Sequence, residues 1–341
     1  MSLNSKIRYI FIIVTFILVA CSPSSDKNDD LEKGLEINFQ LYEKAQDISL
    51  NSPVTRGPLL SNDLIYEMGV FASRSVGEFN PDEDILNYMY NQKVVRENAQ
   101  SEWYYTPLKY WPLSGQVSFF AYAPYVDDGN TMLTFSPKSQ AGKPTFNYDM
   151  SPSIADQIDL LVAEPVMNKT EGQINFKFKH YLSCVEFSAR KADNFPEDVE
   201  MRVMEIEVNG LRTSGSLQYV NSGYGWELNP DKSTSFLLSV ENGILASVDL
   251  KNENQLITLS DKFMPIPQSF TGKIQLIIRA EYRKGAEKKE VSFEQNMNNF
   301  LSSLEMGKRY TLSLILNVTE IRVEYSIKEW YNHKIDIPTF D

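Results

Sequence analysis

Ile37-Asn38-Phe39-Gln40-Leu41-Tyr42, early in the chain, sets an apolar side chain at alternate positions, and Val323-Glu324-Tyr325-Ser326-Ile327, near its end, repeats the pattern. Side chains of a strand point alternately to its two faces, so a run of period two lays one apolar face on a core and one polar face in water. The same alternation returns at Ile174-Phe176-Phe178, Met204-Ile206-Val208, Ile274-Leu276-Ile278 and Tyr310-Leu312-Leu314-Leu316. Between such runs lie Asp128-Gly129, Asn209-Gly210, Asn242-Gly243 and Thr271-Gly272, dipeptides that favour tight turns. Helical patterning is scarce: one short helix is expected after Asn80-Pro81, on the stripe Ile85, Leu86, Tyr88 and Met89. Half-buried strands joined by turns predict an all-β protein built from packed antiparallel β-sandwiches.

A chain of 341 residues accommodates two such domains, and 42% apolar residues supply their cores. The most polar interruption near the middle is Asn168-Lys169-Thr170-Glu171-Gly172, which predicts an N-terminal domain over 35–170 and a C-terminal domain over 171–341. Net charge is −12 at pH 7. So acidic a chain repels phosphate backbones, which argues against nucleic acid as a partner.

The beginning of the chain decides where it works. Lys6 and Arg8 precede the apolar run 10–18, which ends on Leu18-Val19-Ala20-Cys21. A basic start, a short apolar stretch and small residues before a cleavage point define a secretory signal peptide, here residues 1–20, too short to span a bilayer. Its last four residues resemble the lipobox of bacterial lipoproteins. That resemblance implies a diacylglyceryl group on the Cys21 sulfur, cleavage before Cys21 and anchoring in the outer membrane. Residues 21–34 then read as a flexible tether. Its clustered acids Asp26, Asp29, Asp30 and Glu32 resemble the surface-export signals of Bacteroidetes lipoproteins. With Cys21 lipidated, Cys184 is the one remaining thiol, so stability is expected from side-chain packing rather than disulfides.

Motifs of catalysis are missing from the sequence: it holds no Gly-rich phosphate loop, nucleophile elbow or HExxH. His180 and Cys184, an even number of residues apart, are expected on one strand face as core residues, since a zinc site wants four ligands. No enzyme and no cofactor are expected. The aromatic cluster Trp103, Tyr104, Tyr105, Tyr110 and Trp111 has two readings. Buried, the rings are core; exposed, they are a sugar-stacking platform on a non-polymerising surface lipoprotein that binds a glycan or another ligand. Core is the preferred reading.

Several phrases, in order along the mature chain, resemble the fimbrillins of Bacteroidetes, in particular the minor-fimbria-like (type V) pilin lipoproteins. They are Glu36-Ile37-Asn38-Phe39, Thr55-Arg56, Met68-Gly69-Val70-Phe71-Ala72, Tyr110-Trp111-Pro112 with the run 117–124, Asp159-Leu160-Leu161-Val162-Ala163, Phe178-Lys179-His180, Pro265-Ile266-Pro267-Gln268, the run 307–312 and Trp330. A tryptophan expected just before Gly307 is replaced by Leu304 and Glu305. The resemblance implies two tandem transthyretin-like β-sandwich domains, exported to the cell surface as a structural or adhesive pilus subunit. It also implies removal of the first strand by an arginine-specific protease and its replacement by a strand from another fimbrial subunit. Carried onto this sequence, the displaced strand holds Ile37, Phe39 and Leu41, the cut falls between Arg56 and Gly57, and the donor holds Val323, Tyr325 and Ile327, with Ile335 and Ile337 repeating the period. A host or bacterial surface ligand is the further partner an adhesive subunit implies.

Overall fold

The computed structural model describes residues 34–41, 64–240, 243–248, 251–257 and 263–330, and within them the protein is built almost entirely of β-strands. At its centre lies a sheet in the order Phe178–His180, Leu161–Ala163, Gln116–Ala123, Glu67–Ser75, Met89–Val95, with Val166–Lys169 also paired to Gln116–Ala123. This sheet is buried on both faces. Met68, Val70, Ala72, Phe119, Ala121, Leu161 and Ala163 point into one core, while Phe71, Phe120, Tyr122 and Val162 point into another. A strand covered on both sides has no polar face to show, so these segments read as unbroken apolar runs rather than alternations.

Each face has its own cover. Against the Phe71 face lies a sheet ordered Gly223–Leu228, Ser214–Val220, Phe146–Asp149, Leu133–Phe135. Among the described residues, two strands lie against the Val70 face, Phe39–Leu41 and Ile174–Phe176, with Tyr105 and Trp111 beside them. Beyond this region a sandwich continues the Phe71-side core. One of its sheets runs Gln255–Leu256, Cys184–Lys191, Lys308–Leu316, Ile321–Glu329, the other Ser233–Leu238, Glu200–Arg212, Gln275–Lys284, Glu287–Asn296. Leu304, standing where a tryptophan was expected, is buried in this core.

Two expectations need correction. The polar segment 168–172 is a turn inside the first unit, with Asn168 and Gly172 both in the left-handed region (φ 54 and 91). Ladders cross the expected 170/171 division, because Ile174 pairs with Phe39, Phe178 with Ala163, and Leu217 with Phe146. A tight turn and an interdomain linker are equally polar, and the sequence does not distinguish them. The expected helix after Asn80-Pro81 is a single turn: the Asn80 carbonyl accepts from Asp84 N at 2.8 Å, the Asp84 carboxylate accepts from Asn80 N, and Met89 already opens a strand. The architecture is antiparallel as expected, with two parallel ladders among the described residues, Phe39–Leu41 with Ile174–Phe176 and Cys184–Lys191 with Lys308–Leu316, both joining segments far apart in sequence.

Gly69 marks the closest approach in the central sheet. A Cβ at this position would lie 2.0 Å from Cε1 of Tyr122, whose fully buried ring is fixed by a hydroxyl that donates to Asn91 Oδ1 at 2.7 Å. Gly69→Ala should therefore lower stability by about 1–3 kcal/mol through overpacking. A shift of the urea midpoint with unchanged slope is the expected result, and an unaltered midpoint would refute it.

Candidate functional site

The first strand is a plug with a partner on each edge. On one side, the Ile37 N–H donates to Lys109 O at 3.0 Å and the Trp111 N–H to Leu35 O at 2.8 Å. On the other, Ile174 N–H donates to Asn38 O at 2.9 Å, and Gln40 stands opposite Asn175. Ile37, Phe39 and Leu41 are buried while Asn38 and Gln40 face outward, the alternation the sequence predicts. Phe39 is enclosed by rings: Phe176 stacked at 5.7 Å, Tyr105 at 5.3 Å and Phe119 edge-on at 6.0 Å. Without this strand the backbone edges at 109–111 and 174–176 and the faces of Phe119, Phe176 and Tyr105 would be open to solvent. A strand with apolar residues two apart would satisfy both needs at once.

Tyr105 clasps the plug by a route the sequence did not reveal. Its hydroxyl donates to Ile37 O at 2.9 Å and accepts from Lys109 N at 3.3 Å. Desolvation by burial pushes its pKa up to about 12. The aromatic cluster to which it belongs is mainly core: Tyr105 and Trp111 are buried, Trp103 and Tyr110 half-buried, and Tyr104 alone is exposed. Trp103 lies under the Arg96 guanidinium, 4.8 Å from its centroid, a geometry suited to a cation–π contact.

The last described strand, Ile321–Glu329, lies at the outer edge of its sheet and, among the described residues, pairs antiparallel with Lys308–Leu316 alone. Val323, Tyr325 and Ile327 stand opposite Leu314, Leu312 and Tyr310, on the side that faces the core. The opposing sheet stops short of covering them. Tyr325 keeps 45% and Ile327 43% of its surface exposed, with Phe300 the nearest ring to Tyr325 at 6.2 Å. An apolar stripe half in water, on a strand with a single neighbour among the described residues, is poorly invested in its own sandwich.

His180 and Cys184 are both buried but not on one strand face. His180 ends Phe178–His180 and Cys184 begins Cys184–Lys191, in different sheets; between them Ser183 N–H turns to Pro265 O. His180 is joined to Asp159 and stacked on Trp330, neither of which spacing alone pointed to. Cys21, Arg56, Gly57, Ile335 and Ile337 lie outside the described residues.

Comparison with known proteins follows the same lines. The profile of the Fimbrillin-like family matches residues 61–330. The chain belongs to this family. A fimbrial protein from Bacteroides vulgatus ATCC 8482 superimposes with a TM-score of 0.63 at 19% identity, over 86% of this chain and 99% of that one. A candidate cell adhesion protein from Bacteroides uniformis ATCC 8492 gives 0.52 at 16% identity, over 88% of this chain and 98% of that one. At these identities the likeness is one of fold. No curated protein matches the sequence.

Two measurements probe the plug. Phe39→Ala should cost about 3–5 kcal/mol of stability by leaving a hole among the rings. The alkaline limb offers the second. Folded Tyr105 titrates above the unfolded value of about 10, so its contribution is complete below pH 10 and declines as pH rises toward about 12. Tyr181, pushed to about 12 by the same desolvation, adds to the decline. Tyr105→Phe should make the loss of stability between pH 10 and 12 shallower than in the wild type, and an identical slope would remove the clasp.

Proposed function

We propose that the protein is a cell-surface lipoprotein subunit of a fimbria, anchored to the outer membrane through Cys21 and assembled by strand donation after cleavage between Arg56 and Gly57. The observation that carries this reading is the contrast between the two terminal strands. The first buries all three of its apolar side chains, Ile37, Phe39 and Leu41, yet is short, a removable plug between two strand edges. The last shows water a half-exposed apolar stripe on an edge strand. Donation would trade an open groove and an under-buried stripe for one continuous ladder, each buried apolar side chain contributing about 1.5–3 kcal/mol. Membership of the fimbrillin-like family and the fimbrial and adhesion proteins that share the fold support a structural or adhesive role without catalysis. Other fimbrial subunits are the partners this mechanism requires, and a host or bacterial surface ligand is the target of an adhesive one.

Polymers held in this way should survive SDS without heating and fall to monomer on boiling. Tyr325→Asp puts a charge into the groove but changes a side chain already 45% exposed in the monomer, so it should block the ladder and leave folding intact. Arg56→Ala should also remain monomeric, with its first strand in place. Wild-type protein that shows only monomer, together with an Arg56→Ala variant indistinguishable from it, would point to a terminal or non-polymerising subunit. The anchor is tested separately: Cys21→Ser should leave the membrane fraction and incorporate no palmitate, and equal labelling of variant and wild type would exclude Cys21.

A further inference from the structure

The segment 174–180 touches both terminal strands. Its first part, Ile174–Phe176, is the hydrogen-bonded neighbour of the first strand, and Phe176 stacks on Phe39 with the rings 14° from parallel. One residue later the chain enters Phe178–His180, which pairs with Leu161–Ala163. At its end the fully buried His180 ring lies flat on Trp330, centroids 3.9 Å apart and planes 11° apart. Trp330 directly follows the last strand, and its N–H donates to Gly307 O at 2.7 Å. Gly307 N–H in turn donates to Leu182 O at 3.0 Å, so residues 180–182 grip the strand end twice, by ring and by backbone. The strand's buried side chains are at its two ends, Ile321 (2% exposed) and Trp330 (4%); between them it is held by its backbone ladder to Lys308–Leu316, with its side chains largely exposed.

The grip is oriented but incompletely satisfied. Asp159 Oδ1 lies 2.9 Å from His180 Nδ1; an ionised carboxylate accepts only, which makes Nδ1 the donor and fixes the ring plane. His180 Nε2 and Trp330 Nε1 are both buried and have no hydrogen-bond partner among the described residues. An unpartnered buried polar atom costs stability that is recovered once water reaches it. Such a stack is secure while its support holds and gains by opening when the support goes.

We propose that His180, positioned by Asp159, is the latch through which the docked first strand keeps the last strand in its own sheet, so that losing the first strand releases the donor. Its consequence for assembly rests on the strand-donation reading above. The order of events follows from connectivity. Without Phe39, Phe176 loses its stacking partner and 174–176 becomes a sheet edge. The displacement passes through Lys177 to Phe178–His180, the His180 ring leaves Trp330, and the pinned end of Ile321–Glu329 comes free. His180, Asp159 and Trp330 are thus positioning residues for strand exchange, and a subunit that keeps its first strand also withholds its donor.

The test is hydrogen exchange of the amides of 321–329 in the full mature chain, with the amides of Glu200–Arg212 as the check on folding. Phe39→Ala should speed exchange of 321–329 about tenfold while 200–212 stays protected. His180→Leu, which keeps apolar volume but removes the ring stack, should already exchange fast, and adding Phe39→Ala should change it less than about twofold. If His180→Leu loses protection at 200–212, Asp159→Asn, which leaves the ring present but unfixed, takes its place with the same non-additive pattern expected. Protection of 321–329 unmoved by Phe39→Ala, or effects that simply multiply, would overturn the latch. The same samples, treated with an arginine-specific protease that cuts after Arg56 and then run unheated in SDS, keep the two ideas apart. Coupling without polymer refutes strand donation and leaves the latch standing, whereas polymer without coupling refutes the latch alone.

Discussion

The constraint on which the architecture depends is that the central sheet must be covered twice. Phe71, Phe120 and Tyr122 on one face and Val70, Phe119 and Ala121 on the other would all meet water if either cover were lost. The cover over the Phe71 face is a four-stranded sheet, whereas the other consists of two short strands and the side chains of 105–111. Half of the thinner cover is the short strand Phe39–Leu41. The place where the fold is least redundant is therefore the place where a segment from elsewhere would be accepted most readily.

The same imbalance recurs at the other end of the chain. Ile321–Glu329 makes a complete ladder with its neighbour, yet the opposing sheet leaves its inner face half open. Backbone bonding holds it in register while hydrophobic burial, the larger contribution for an apolar residue, is only partly realised there. One terminal strand is thus a tight fit in a thin wall, and the other a loose fit on a free edge. The proposed strand exchange would join these complementary deficits.

Much of this was legible in the residues, for a definite reason. Period two identifies a strand with one wet face, so Ile37-Phe39-Leu41, Met204-Ile206-Val208 and Tyr310-Leu312-Leu314 announced themselves, and with them the all-β class. The family phrases around Met68–Ala72, the run 117–124 and Asp159–Ala163 were recognisable only by resemblance; a sheet buried on both faces loses the alternation that would mark it. Contacts between remote segments left no local trace. The parallel pairing of 39–41 with 174–176, the Tyr105 hydroxyl on Ile37 and the His180 ring on Trp330 are each set by how the chain closes on itself. The segment 168–172 misled because a bend inside a domain and a linker between domains draw on the same polar residues.

The sheet formed by Leu133–Phe135, Phe146–Asp149, Ser214–Val220 and Gly223–Leu228 takes two strands from each half of the chain. Viewed as a mechanical part, it is a splice. A joint made only of side chains can slide or hinge, but a seam whose backbone bonds run from 146–149 to 214–217 resists both, since every bond across it must yield for the halves to separate. In a filament of such units, stretching force would pass through each protein as through a single stiff link. Bending and rupture would be confined to the connections between one molecule and the next.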